Sequence, residues 1–181
     1  MPRYAALLRS VNVGKRSLSM KELQSVGEEI GLGEVRTLLR TGNLLFSSPE
    51  RNVPKLQRAL EEKTHARTGL RTTVFVRSAA AWSEIVRSNP FEEYAREDPS
   101  HLVVVLLKKG TTPGALEGLR RSLQGRETVQ LGSESVYATY PDGLGRSWLT
   151  LDRIERALGA AGTARNWNTV LRIQRVLADG R

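Results

Sequence analysis

No cysteine occurs anywhere in the 181 residues. That excludes a disulfide scaffold, a thiol nucleophile, an iron–sulfur cluster and cysteine-ligated zinc. Histidine is nearly as scarce: His65 and His101 are the only imidazoles, so any two-histidine site needs both. Long apolar runs are missing as well. The longest, Leu102 to Leu107, closes at Lys108 and Lys109, far short of the roughly 18 residues of a membrane span. The apolar stretch after Met1 stops at Arg9, too early for the core of a secretory signal. These absences predict a cytoplasmic chain with no membrane partner.

Catalytic signatures are absent too. No G-x-S-x-G nucleophile elbow and no H-E-x-x-H pair occurs. Gly14-Lys15-Arg16-Ser17 looks like a phosphate loop, but the first glycine of that motif would fall on Arg9. Gly31-Leu32-Gly33 fails as a dinucleotide fingerprint, because Arg36 stands where the third glycine belongs. Both glycine segments are expected to be turns. The pairs Glu28-Glu29, Glu61-Glu62 and Glu92-Glu93 are sequence neighbours, which point apart on a helix and suit solvated faces. No metal or cofactor is expected, and no catalytic residue stands out.

What the chain has is positive charge. Its 28 Lys and Arg against 19 Asp and Glu leave a net +9, with a pI near 10.5. The excess is uneven: residues 1–90 carry 15 basic and 8 acidic groups, a net +7, and residues 91–181 carry 13 and 11, a net +2. Hydrophobic residues make up 39%, enough for a globular core at this length.

The periodicity predicts an element order that occurs twice. Residues 4–11 read as a strand. Ser19 and Glu22 form a capping box for a helix carrying Met20, Leu23, Val26 and Ile30, stopped by Gly31. Strands over 35–39 and 44–47 flank a Thr41-Gly42-Asn43 turn. Asn52 and Pro54 open a second helix, a strand follows over 72–76, and Ser78 starts another helix. The second half repeats the order: a two-face-apolar strand over 102–107, a helix after Thr112-Pro113, a hairpin over 128–139, and a helix from about Thr150. Gly159 to Thr163 leaves room for a last short strand, and a helix closes the chain from about Asn166 to Ala178. The expectation is an α+β protein of two ferredoxin-like (split βαβ) subdomains, 1–88 and 101–181. An irregular, Pro-containing acidic connection is expected over 89–100.

Polar residues collect where strands end or helices begin. Thr163-Ala164-Arg165-Asn166-Trp167-Asn168-Thr169 sets an arginine, two asparagines and two threonines at a helix start, where free amides favour an anion. Capping by Asn166 over a Trp167 anchor explains the same residues without a ligand.

Taken in order, Leu7-Leu8-Arg9-Ser10-Val11-Asn12-Val13-Gly14, Arg36-Thr37, Thr41-Gly42-Asn43, Asn89-Pro90-Phe91, Pro141-Asp142-Gly143 and Thr163 to Leu171 resemble one bacterial family. It is domain of unknown function 1697. The resemblance spans nearly the whole chain and implies two linked ferredoxin-like subdomains; it implies no activity, substrate or catalytic residue. Ser10 and Lys15 stand where the family usually has Gly, and Thr41 where it has Ser.

Three functions follow as expectations. A small anionic ligand, bearing phosphate or carboxylate, would be held by Arg9, Asn12, Lys15, Asn43, Arg165, Asn166 and Asn168. Non-specific nucleic acid would be drawn by the charge, although Tyr4 and Phe46 are the only aromatics on the first and third strands. Alternatively the same polar residues serve turns and caps alone.

Overall fold

The computed structural model describes residues 1–9, 11, 17–132 and 134–179. The protein is α+β, with two four-stranded antiparallel sheets and, among the described residues, seven α-helices. The chain forms two compact units, Met1–Ser83 with Ile173–Arg181 and Glu84–Arg172.

In the first unit β1 (Arg3–Leu8), α1 (Met20–Glu29), β2 (Gly33–Leu38), β3 (Asn43–Ser47), α2 (Val53–Thr68) and β4 (Val74–Ser78) give the strand order β2-β3-β1-β4. Local chemistry sets the helices. The Ser19 hydroxyl accepts from the Glu22 amide while the Glu22 carboxylate accepts from the Ser19 amide, closing the capping box. Asn52 caps α2 with Pro54 in its first turn, and Gly69 ends it in the left-handed region. One sheet face, with Tyr4, Ala6, Leu8, Leu44, Phe46, Val74 and Val76, packs against Leu23 and Val26 of α1 and Leu56 and Leu60 of α2. Tyr4 and Phe46 are cross-strand partners whose rings stack 5.5 Å apart. Ala5, Leu7, Leu45 and Phe75, on the opposite face, are buried too.

The second unit repeats this plan. β5 (Leu102–Leu107), α5 (Pro113–Ser122), β6 (Thr128–Gly132), β7 (Ser135–Thr139), α6 (Leu151–Leu158) and β8 (Gly162–Asn166) give the order β6-β7-β5-β8. Val103, Val105, Val129, Val136 and Ala138 pack against Leu116, Leu119, Ile154 and Leu158. The remaining helices are α3 (Ala79–Arg87), α4 (Glu92–Glu97) and α7 (Trp167–Asp179). The unit boundaries fall within α3 and α7. The segment expected to be irregular, 89–100, contains α4 and lies in the second unit.

The repeat extends to register. β1 pairs with β4 from Tyr4↔Ser78, and β5 with β8 from Val103↔Asn166. In each unit the fourth strand ends in an arginine followed by a polar residue, and a helix starts at once. Arg77 and Arg165 are therefore equivalent, lying opposite Ala5 and Val104. Each donates from Nη1 to the preceding carbonyl, at 3.0 Å to Val76 and 2.8 Å to Ala164.

Several boundaries differ from the periodicity. β1 stops at Leu8 rather than Val11, because Leu8 and Arg9 turn their amides to Gly42 and Thr73. β8 runs over Gly162–Asn166, three residues later than the small-residue stretch suggests. Its place is set by pairing with β5, which propensity does not register.

Gly42 and Gly69 both have left-handed backbones, but only Gly42 is crowded, since a Cβ there would collide with Val11. Gly69→Ala is expected to lower stability by about 1–2 kcal/mol. Gly42→Ala should lose about 1–3 kcal/mol more from overpacking, which urea denaturation of the two variants would measure.

Candidate functional site

The expected ligand-binding residues divide between the units. Arg9, Asn12, Lys15 and Asn43 belong to the first, and Arg165, Asn166 and Asn168 to the second. Asn12 and Lys15 lie outside the described residues.

In the first unit the end of the sheet is tied by backbone bonds. The Leu8 amide donates to Gly42 O and the Arg9 amide to Thr73 O, both at 2.9 Å. The Thr72 hydroxyl donates to Arg9 O at 2.7 Å. These bonds bring together the close of β1, the turn before β3 and the approach to β4. Arg9, Arg40 and Arg71 come from these three segments. Arg9 is half-buried, and Arg40 and Arg71 are exposed. Asn43 is fully buried. Its amide donates to Leu38 O at 2.8 Å and to the Thr41 hydroxyl at 2.9 Å, clamping the β2–β3 turn. That geometry is the turn role rather than an open ligand contact.

In the second unit the polar cluster, expected at a helix start, begins on β8 and runs into α7. Arg165 Nη1 donates to the Thr163 hydroxyl at 3.0 Å as well as to Ala164 O. Burial pushes the Arg165 guanidinium down to about 10, so it stays charged at neutral pH. Asn166 Oδ1 accepts from the Thr169 amide at 3.0 Å and from its hydroxyl at 2.9 Å, capping α7. Trp167 is buried behind the cap, and Asn168 is exposed in the first helical turn.

Further residues at these strand ends come into view with the structure. Arg71 sits in a segment read only as the lead into a strand. His101 Nδ1 lies 2.7 Å from Asp98 Oδ2, and bonds from His101 and Ser100 hold the Asp98 carboxyl below its usual range. Among the described residues no group of three or more His, Asp or Glu side chains is arranged to hold a metal ion. Nor is any helix there long and apolar enough to cross a membrane.

The family profile described as "Protein of unknown function (DUF1697)" matches residues 1–137. The chain belongs to the DUF1697 family. The matched span takes in the whole β1–β4 sheet and β5, and Thr163 to Leu171 lies beyond it. Among solved structures, the DUF1697 chain is similar to conserved bacterial protein SP0830 from Streptococcus pneumoniae. The TM-score is 0.75 at 19% identity, over 97% of this chain and 98% of that one, a likeness of fold alone. A candidate chlorite dismutase, TA0507, aligns over 98% of this chain and 100% of its own at 14% identity with a TM-score of 0.26, too low to carry an argument. No curated protein is significantly similar to the chain.

Two outcomes are expected for the DUF1697 side chains. Asn43→Ala should lose about 1–3 kcal/mol because buried backbone and hydroxyl acceptors lose their donor. Asn166→Ala should lose about 1 kcal/mol as an N-cap. Chemical denaturation gives both values. The second outcome concerns pH. The Asp98 carboxyl and that of Asp142, bonded to Arg126, are both depressed, as are Glu22 beside Ser19 and Glu29 beside Lys63. Depressed carboxylates contribute stability that is present above their unfolded values and lost as pH falls through the native ones. The melting temperature should therefore fall between about pH 5 and pH 2, and Asp98→Asn should make that fall shallower.

Proposed function

We propose that the first unit binds a small phosphate- or carboxylate-bearing anion at the end of its sheet where β1 closes and β3 and β4 begin. The observation that carries this reading is the convergence there of Arg9, Arg40 and Arg71 on segments with no carboxylate. Residues 9–18, 39–43 and 69–73 contain no Asp or Glu, and the first of them adds Lys15 and Arg16. Glu61, the acidic group that reaches this end of β4, accepts from the Val74 amide at 2.8 Å. Charge on the units agrees: the first carries 16 basic and 8 acidic residues, a net +8, and the second 12 and 11, a net +1. Such a concentration raises the local population of anions.

The scaffold proposed for this site is ferredoxin-like (split βαβ) in each unit. Support comes from the orders β2-β3-β1-β4 and β6-β7-β5-β8, each with a helix after the first and third strands. That architecture also invites the nucleic-acid reading, which depends on aromatic rings displayed for stacking. Tyr4, Phe46 and Phe75 are 3%, 2% and 0% exposed. A small anion therefore fits better than a nucleic-acid strand. The reading is one of binding and assigns no reaction.

Calorimetry with pyrophosphate, and separately with a short single-stranded RNA, at about 50 and 200 mM salt tests this. Saturable pyrophosphate binding is expected. Arg71→Gln should weaken it about tenfold, as loss of a charge-assisted contact does, while Arg58→Gln on α2 should leave it unchanged. Absence of saturation, or equal losses in both variants, overturns the reading.

A further inference from the structure

The outermost strands of both sheets pose a problem that the two units solve alike. A strand at the edge of a sheet turns every second amide and carbonyl away from its neighbour, where another chain can pair with it. Beyond the pair Leu8↔Val74 the Arg9 amide donates to Thr73 O. Bonding alternates along an antiparallel pair, so Thr73 and Phe75 face β1, and the backbone groups of Val74 and Val76 face the outer edge of β4. The Lys108 amide donates to Ala161 O just beyond Leu107↔Gly162. By the same alternation Gly162 and Ala164 face the outer edge of β8.

Side chains take those outward groups. On β4 the Val74 amide donates to Glu61 Oε1 at 2.8 Å and the Val76 amide to Gln57 Oε1 at 3.3 Å. Gln57 and Glu61 are one turn apart on α2, about 6 Å, which nearly matches the roughly 6.6 Å between alternate residues of a strand. Val76 O accepts at 3.0 Å from Arg77, whose guanidinium folds back over the edge. On β8 the Gly162 amide donates to Glu155 Oε1 of α6 at 2.7 Å, and Ala164 O accepts from Arg165. Val74 and Val76 are fully buried, so water cannot replace these partners.

The two arrangements are equivalent without being copies. In each, a carboxylate of the helix before the fourth strand holds an outward amide, and the arginine of that strand bonds the next outward carbonyl. Yet Glu61 lies 13 residues before its strand partner and Glu155 only 7, on helices of 16 and 8 residues. The other edge of the first sheet is blunted differently. Gly33 lies opposite Ser47 but Arg36 opposite Leu45, so β2 carries a β-bulge, with a φ of +49° at Glu34. The bulge keeps Val35 packed against the helix-covered core and puts Arg36 on the opposite face with Leu45. A bulge and exposed charges such as Glu34 and Arg36 make an edge unfit for pairing.

We infer that Glu61 and Glu155, with Gln57 and the strand arginines Arg77 and Arg165, close the β4 and β8 edges to strand addition. A second copy of the chain that met either edge would find those donors and acceptors already engaged. Pairing would first have to break the bonds, and it would leave a carboxylate and a guanidinium without their partners, which adds to the cost. The closure concerns how copies of the chain avoid one another and holds whether or not the first unit binds an anion.

Light scattering and amide hydrogen exchange on the full chain test this. The double variant Gln57→Ala/Glu61→Ala should associate beyond the state of the unaltered chain as concentration rises. Its Val74 and Val76 amides should exchange at least about tenfold faster. Glu155→Ala should do the same with the Gly162 amide as its reporter. Glu61→Gln, which keeps an acceptor oxygen, and Glu62→Ala, an exposed neighbour on α2, should leave both readouts unchanged. Leu23→Ala, which weakens the core of the first unit without touching an edge, should add no association. Unchanged association or unchanged exchange in either edge variant would overturn the inference. So would association of Glu61→Gln, Glu62→Ala or Leu23→Ala equal to that of the double variant.

Discussion

The central strand of each sheet must be apolar on both faces, and the rest of the structure depends on that constraint. Ala5, Ala6, Leu7 and Leu8 of β1 and all six residues of β5 are at most 2% exposed. Each strand pairs on both sides, β1 with β3 and β4, and β5 with β7 and β8. A strand so placed satisfies every ladder bond without water and gives apolar side chains to both faces. Helices can then cover one face, and the polar ends of the neighbouring strands are forced outward to the rims. The arginines, asparagines and threonines that stand out in the sequence occupy those rims.

Equivalence between the units sharpens the meaning of these polar residues. Arg77 and Arg165 share a register position, a bond to the preceding carbonyl and a helix that starts two residues later. Ser78 Oγ accepts from the Ala81 amide as Asn166 Oδ1 accepts from that of Thr169. A feature that recurs at the same place in both units is explained by the architecture. At the Arg9 end the cation recurs as well, since the strand end equivalent to Leu8-Arg9 is Leu107-Lys108, whose Lys108 amide donates to Ala161 O as that of Arg9 does to Thr73 O.

Legibility followed the range of the interactions. The Ser19–Glu22 box and the Asn52 cap could be read directly, since each links residues within four positions. Asn43 stands out in the sequence as a candidate ligand residue, and in the structure its buried side-chain amide serves the turn. Arg165 reads in the sequence as part of a helix start because Gly-Thr-Ala-Arg-Asn has weak strand propensity, and pairing with β5 makes it a strand. The face on which Arg36 lies is not legible in the sequence, since it depends on a bulge defined only against β3.

By itself the sequence determined the element types, their doubled order, the caps and the concentration of charge in the first half. These follow from periodicity, local hydrogen bonding and composition, which need no partner strand. Tertiary structure alone decided the register of β8, the bulge at Glu34 and the joining of the chain segments that carry Arg9, Arg40 and Arg71. Each depends on pairing between strands or loops rather than on neighbours in the chain, from about ten residues apart for the bulge to some sixty for β8, and local propensity does not record which residues pair.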